Sequence, residues 1–393
     1  MKRSLLVILG ILFGLLVFHV LVSFLNIAFL KPWRFPQIPR TIELYPYSGA
    51  IHIHSRFSDG SGELHEIVAA AREEKLDFIW ITDHNTLSLF DSSDAYQRPV
   101  LMVGAELSLK PGHVITWNAA RLDAGNASNL LLDTLDLVIV AHPLHPKIRW
   151  KEEYPVAVDG LEILNADVEW RNDTALELIG AVFAIPFFEY AMNLLIDPPL
   201  RELWLWDSLS TYRPVSGIGS VDAHAKIKLS KTDYWKFPSY QKMFALIQNV
   251  IYRTQPLPDS PSAARTAIAE AIRAGHLIFG FAGLGDLKAA RIFARNKQHV
   301  YFPGDTLNLD PDAPAQLHVS LPPGFEFETY LYHNGVRIRQ SRLSEILWNI
   351  EHPGRYRIVV HQRRLRFPLF TRKNVPWIFS NPFYVRPVND DEL

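Results

Sequence analysis

The chain has 393 residues, with 40 Lys and Arg against 41 Asp and Glu and a net charge of −1. That balance excludes the broad basic surface on which non-specific nucleic-acid binding depends. The absence of cysteine excludes disulfides, thiolate metal sites and a cysteine nucleophile, while a 48% hydrophobic share is ample for two domains and an anchor.

After Lys2 and Arg3 no charged residue other than histidine appears until Lys31, and most of residues 5–30 are apolar. About 20 such residues cross a bilayer, whereas a secretory signal has an apolar core of roughly 7–15 residues and a small-residue cleavage site. Residues 1–30 therefore read as an uncleaved signal anchor, a single-pass transmembrane helix meeting the lipid bilayer through residues 4–30. Lys2 and Arg3 favour a cytoplasmic N-terminus, opposed by Lys31, Arg34 and Arg40 on the other flank. Long domains translocate largely regardless of such charges, so the folded part is expected outside the cytoplasm. Residues 31–48, rich in proline and aromatic residues, read as a stalk.

Residues 49–60 read as a short strand ending in metal-ligand types. Alternate side chains of a strand share a face, so His52 and His54 project together, with Ile51 and Ile53 behind them. The turn at Ser58, Asp59 and Gly60 can return a carboxylate to the pair. Residues 63–75 follow as an amphipathic helix, with Leu64, Ile67, Val68 and Ala71 on one face and His65 read as surface. Further apolar runs of strand length then end in the same residue types. Residues 78–82 lead to Asp83, His84 and Asn85, residues 100–105 to Glu106, and residues 137–141 to His142. Residues 161–165 end in Asn165, and residues 217–221 lead to Asp222 and His224. Near-continuous apolar runs suggest a parallel sheet buried on both faces, and ligands at successive C-terminal strand ends are the arrangement of a β/α barrel. Imidazole with carboxylate suits zinc, manganese or iron.

Residues 170–213 form an apolar expansion in which a second membrane helix is opposed by Pro186 and Glu189. Barrel helices fit it better, with Trp204 and Trp206 on an interfacial face or in the core. Residues 260–275 read as a last helix ended by Gly275. From about residue 291 to 393, alternating runs separated by Pro and Gly turns suggest a β-sandwich. Its basic cluster of Arg363, Arg364, Arg366, Arg372 and Lys373 reads as a solvated face, with anionic lipid or nucleic acid as the alternative.

Taken in order, the His52 and His54 pair with Asp59, the Asp83–His84–Asn85 run, Glu106, His142 with Pro143, and Asp222 with His224 resemble the motifs of the PHP family, named for polymerase and histidinol phosphatase. The resemblance covers residues 49–290. It implies an α/β fold, a distorted (β/α)7 barrel of the PHP type, here with the C-terminal β-sandwich and the N-terminal transmembrane helix. It further implies two or three divalent metal ions and hydrolysis of a phosphate ester by a metal-activated water. By position, His52, His54, Asp59, His84, Glu106, His142, Asp222 and His224 match metal ligands, Glu106 being the family's bridging carboxylate. The trinuclear form has a ninth ligand, often His, after the strand carrying Glu162; Asn165, Asp167 or Glu169 stands there instead. Glu106, His84 and His224 are the catalytic candidates. His113 could face the substrate phosphate or simply begin a strand, and Arg56 could contact that phosphate or lie solvated. The expected substrate is a phosphorylated small molecule or nucleotide. A 5′-3′ exonuclease of the PHP type, with nucleic acid as substrate only, is the hydrolytic alternative. A non-catalytic metal-binding module is the alternative from another class.

Overall fold

The computed structural model describes residues 2–30, 44–117, 137–151, 153, 158–169, 179, 187–188, 191–192, 195, 197–230, 233–297, 299–310, 314–323, 325–366, 369 and 371–387. Residues 31–43 of the expected stalk, residues 170–178 and 180–186 of the apolar expansion and the side chain of Glu169 lie outside the described residues, while residues 45–48, expected in the stalk, belong to the first strand.

Strand β1 (Tyr45–Ile53) is followed by helix α2 (Leu64–Glu73), strand β2 (Phe78–His84) and strand β3 (Val100–Ser108). Helix α2 buries Ile67, Val68, Ala70 and Ala71 as its periodicity demands, and a capping box of Glu63 and Glu66 closes its N-terminus. A helical crossover turns the chain back to the same end, so β1 and β2 pair in parallel, as do β2 and β3. Strand β4 (His113–Trp117) follows β3 after only four residues and must run antiparallel. It also pairs antiparallel with β5 (Leu137–Val140), after which β6 (Gly160–Asn165) and β7 (Ser216–Ser220) resume parallel pairing. On its other side β1 meets β10 (Ile247–Arg253), itself paired with β11 (Leu277–Phe281), both antiparallel. Between β7 and β10 a small hairpin joins β8 (Ile227–Lys228) to β9 (Tyr234–Trp235). The sheet is therefore mixed where the apolar runs suggested parallel strands throughout. Burial on both faces produces such runs, and it constrains direction much less than the length of the connection does.

The expected last helix spans Pro261–Ala274 and ends at Gly275, whose φ of +72° needs the left-handed region open to glycine. The core runs through Phe78, Ile79, Trp80 and Ile81, all fully buried, each side chain contributing about 1.5–3 kcal/mol. Trp206 is fully buried in this core whereas Trp204 is 73% exposed.

Strand β7 ends the sheet on one side, yet its outer edge is occupied. Gly219 N donates to Asn249 Oδ1 (3.0 Å) while Asn249 Nδ2 donates to Gly219 O (2.6 Å). Asn381 repeats the pattern on Gly217, at 2.7 and 2.9 Å. Each asparagine amide mimics a peptide group and caps an edge that would otherwise carry unpaired backbone. Just beyond β7, Val221 N donates to Ile51 O, Ala223 N to His52 O and His54 N to Ala223 O, at 3.0, 3.1 and 3.0 Å. These bonds return the chain from β7 to β1.

The C-terminal region is β-rich. It comprises β12 (Arg291–Arg295), β13 (Val300–Tyr301), β14 (Thr306–Asn308), β15 (Gln316–Ser320), β16 (Phe327–His333), β17 (Val336–Ser341), β18 (Glu345–Asn349), β19 (Gly354–Arg366), β20 (Thr371–Ser380) and β21 (Phe383–Arg386). Strands β13, β12, β15 and β18 form one sheet, in that order. The rest do not form a second free-standing sheet. Through β20 they continue the first one, with Ile278 of β11 opposite Ser380. The sheet thus crosses residue 290 without a break.

The N-terminal segment is one helix, α1 (Lys2–Leu30), free of proline and rich in Leu, Ile, Val and Phe. Most of its side chains are exposed, but Ser23, Asn26 and Ile27 are buried. Its C-terminal end lies against β19, and Phe24 meets Phe187 edge to face, ring centroids 6.0 Å apart.

Candidate metal centre

The strand ends deliver nine side chains to one place. His52 and His54 arrive from β1, His84 from β2, Glu106 from β3 and His113 from the start of β4. His142 follows β5, Asp222 and His224 follow β7, and Asp59 returns on the first loop. Their donor atoms sit at ligand spacing. Bonds of about 2.0–2.2 Å in a tetrahedron set two ligands about 3.3–3.6 Å apart. Asp222 Oδ1 lies 3.5 Å from His52 Nε2 and 3.4 Å from His54 Nε2. Asp59 Oδ1 lies 3.6 Å from His54 Nδ1, 3.8 Å from His84 Nε2 and 3.1 Å from His224 Nε2. Glu106 Oε2 lies 3.2 Å from both His54 Nε2 and His84 Nδ1.

Among the described residues three groups emerge: His54, Asp59, His84 and His224; His52, His54 and Asp222; and His84, Glu106 and His113. The shared members His54 and His84 make them one connected cluster. His54 Nε2, Asp59 Oδ1, His84 Nδ1 and His142 Nδ1 are buried without a hydrogen bond. Such atoms are rare unless something else satisfies them, and a divalent ion fits this nitrogen and oxygen set.

The electrostatics carry the same message. Burial depresses the His54 imidazole, but Asp222 and Glu106 outweigh it and raise the group to about 9. His52 is likewise raised against burial by Asp222, Glu162 and Glu106. His142 and His224 also end above the usual histidine range, because Glu106 and Asp59 overcome burial. His84 goes the other way, since burial prevails there. Glu106 and Asp222 are held well below the carboxylate range: burial opposes this and the surrounding imidazoles win. Asp59 is lowered in the same manner by His224, His54 and His84.

Backbone strain marks the same positions. His52, His142 and Asp222 have φ of +68°, +31° and +45°, each costing about 1–3 kcal/mol in a residue other than glycine. At His52 the pairing of β1 with β2 slips between Ile51 and Ile53, and His54 lies beyond the strand end. The two rings still converge, centroids 5.0 Å apart. They do so through a bulge and not by the simple alternation expected from the sequence. Gly60 is required because a Cβ there would collide with the His54 carbonyl oxygen.

A second layer holds these groups. Glu162 Oε1 lies 2.6 Å from His52 Nδ1, and its Oε2 accepts from His142 N at 2.7 Å. Asn165 Nδ2 donates to Glu162 Oε2 (3.0 Å) and to Asp222 Oδ2 (3.2 Å), and its oxygen accepts from Asp167 N. Asn165 therefore orients carboxylates where a ninth ligand was sought. Asp83 accepts from Ser55 N, Ser55 Oγ and Ser58 Oγ, fixing the loop that carries Asp59 instead of orienting His84. Asn85 binds Ser108. Tyr240, which the sequence reading passed over, donates to His54 O (2.7 Å) and accepts from Gly62 N (3.0 Å). Nothing in its local sequence signals this, since the partners are distant backbone atoms.

His113 is placed within the cluster, Nδ1 2.7 Å from Glu106 Oε1, while it also begins β4. Arg56 is not placed there. Its guanidinium pairs with Glu63 Oε1 at 2.5 Å and lies over Phe57, outside the cavity lining, an exposed ion pair in keeping with the solvated one of its two expected states. Three of the C-terminal basic residues are engaged: Arg364 is buried and donates to Leu284 O, while Arg363 and Arg372 pair with Glu326.

The cluster floors a cavity of about 960 Å³, bounded by Asp59, His84, Glu106, His113, His142 and His224 on one side. Phe188, Met192, Leu195, Ile227, Phe237 and Met243 add an apolar share to the lining, with Asp167, Lys226 and Trp235 beside them.

Among solved structures, the chain is similar to a two-domain Bacteroides vulgatus protein described as containing a predicted PHP-like metal-dependent phosphoesterase. Identity is 13% over 88% of this chain and 99% of that one, with a TM-score of 0.39. It is also similar to a candidate metal-dependent phosphoesterase from Bifidobacterium adolescentis, at 14% identity over 45% of this chain and 87% of that one, with a TM-score of 0.26. No curated protein matches the chain. The family model for the PHP domain matches residues 50–135, a span that holds His52, His54, Asp59, His84, Glu106 and His113. Residues 50–135 are thus similar to a PHP domain.

Proposed function

We propose that this protein is a membrane-anchored phosphoesterase that hydrolyses a phosphate ester at a two- or three-metal site, on a distorted barrel whose end strands meet where β7 returns to β1. The observation that carries the reading is the overlap of three His and carboxylate groups at ligand spacing on the floor of one cavity. His52, His54, Asp59, His84, Glu106, His142, Asp222 and His224 would hold the ions, with His113 joining His84 and Glu106. Bound divalent ions supply an acidified water and neutralise phosphate oxygens.

The chain's own residues do the rest. Glu106 faces His52, His84, His113 and His142 at 2.7–3.2 Å and fixes the centre of the site. Glu162 and Asn165 lock His52 and Asp222 in place. Such outer partners set ligand orientation. Of the imidazoles that line the cavity, one not engaged by an ion would protonate a departing alkoxide. The exonuclease reading calls for arginine and stacking aromatics along a strand groove; no arginine occurs among the described lining residues.

Helix α1 supports the anchor: residues Arg3–Phe29 are long and apolar enough to cross a membrane, a property a signal sequence shares. We place the catalytic part outside the cytoplasm, following the topology reasoning on the flanking charges. Elemental analysis of the purified full chain, with turnover of simple phosphate monoesters, tests the enzymatic reading. Absence of both bound metal and turnover refutes it. A C-terminal reporter active only in the cytoplasm refutes the orientation.

A further inference from the structure

The cavity is far larger than a phosphate needs. At about 960 Å³ it sits at the upper end of the roughly 300–1,000 Å³ of small-molecule sites. Of the lining, Phe188, Ala191, Met192, Leu195, Ile227 and Met243 offer no hydrogen-bonding side chain, and Asp167, Lys226 and Trp235 are polar groups beside them. A nucleobase lodged there would leave its N–H and C=O groups unpaired, a heavy penalty in a dry pocket. A hydrocarbon would lose nothing.

The same wall leads toward the membrane helix. Trp235 stacks on Phe237 at 4.6 Å, and Phe237 meets Phe188 edge to face at 5.3 Å. The adjacent Phe187 meets Phe24 of α1. At the rim, the β8–β9 hairpin exposes Ile227, Leu229, Tyr234 and Trp235, the last to 51%. Aromatic and aliphatic side chains of this kind sit well at a bilayer interface.

We infer that the apolar half of the cavity takes the hydrocarbon portion of an amphiphilic phosphate monoester, which enters from the bilayer surface beside the C-terminal end of α1. The inference rests on the phosphoesterase reading. Water adds its oxygen to phosphorus, the ester P–O bond breaks, and a proton passes to the departing alkoxide. The products are inorganic phosphate and a long-chain alcohol.

The test uses the full chain in lipid nanodiscs loaded with manganese, with n-alkyl phosphates from ethyl to dodecyl below their micelle concentrations and AMP alongside. Specificity, kcat/KM, is expected to climb by up to about fourfold per methylene until the cavity fills. Partitioning into the disc acts equally on any variant, so Met192→Asp and Trp235→Ala isolate the cavity: both should flatten the series. Quenching of tryptophan fluorescence by a brominated dodecyl phosphate gives a readout without turnover, and Trp235→Phe should diminish it. A flat series with short esters still hydrolysed, or AMP preferred over dodecyl phosphate, overturns this inference and leaves the phosphoesterase reading standing. Hydrolysis of none of the esters overturns that reading, and the substrate class with it.

Discussion

Two histidines from different regions, His54 fully buried and His361 half-buried, behave in opposite ways. His54, among the strand-end carboxylates, is raised to about 9. His361, in β19 of the C-terminal region, is pushed down to about 4 by burial, with Glu328 and Arg337 acting in opposite directions nearby. Burial depresses both rings, and carboxylates facing the ring reverse the outcome in only one. A place where buried imidazoles hold protons against the burial penalty is a place that favours a cation, and a divalent metal is a stronger one. The contrast separates a histidine that packs from a histidine that binds.

The sharpest way to break this contrast is Glu106→Ala, which removes a carboxylate within 3.2 Å of five imidazoles. Turnover is expected to fall by more than the roughly 100-fold that loss of an outer orienting partner can produce, and elemental analysis should show metal lost as well. Glu162→Gln tests the next layer: metal affinity, read by chelator competition, should drop by roughly 10–100-fold, with the fold retained.

Acid and base should then act on the two histidines in opposite senses. His361 takes its proton more readily unfolded, near 6.5, than folded, near 4. Its contribution therefore lowers stability as pH falls from 6.5 through about 4, and His361→Gln should remove that slope. Metal-free, His54 binds its proton more tightly folded than unfolded, so its stabilisation is full below 6.5 and lost as pH rises through about 9. Added metal should erase the second slope and spare the first, as followed by thermal melts across that range. A metal-insensitive slope at His54 would show that its carboxylates do not form a cation site.

Smaller effects concern the scaffold. Gly60→Ala, whose Cβ meets the His54 carbonyl, should lower stability by about 1–3 kcal/mol, visible in denaturant melts. Asn381→Ala leaves the peptide group of Gly217 unpaired inside the protein, at about 1–3 kcal/mol.

The ligand-bearing strand ends were legible because chemistry marks them: His84, Glu106, His142 and Asp222 each stand at the close of an apolar run. Helix α2 and the helix closed by Gly275 were legible through their periodicity and terminator. Strands β10 and β11 passed unnoticed, since Ile247–Arg253 and Leu277–Phe281 end in no ligand and show no decisive alternation. Strand direction was not legible either, because a run buried on both faces reads alike in both directions. The left-handed backbone of His52 is likewise invisible in a sequence, where nothing separates it from an ordinary strand residue. Glu162 and Tyr240 act through partners more than a hundred residues away, and local pattern does not reach that far.

Asn381 lies at the far end of the chain from His52, yet it grips the strand that delivers Asp222 and His224. During synthesis, the strand carrying these two ligands is made well before the residue that steadies its outer edge. A nascent polypeptide ending near residue 290 would present Asp222 and His224 beside a strand whose edge at Gly217 is still uncapped.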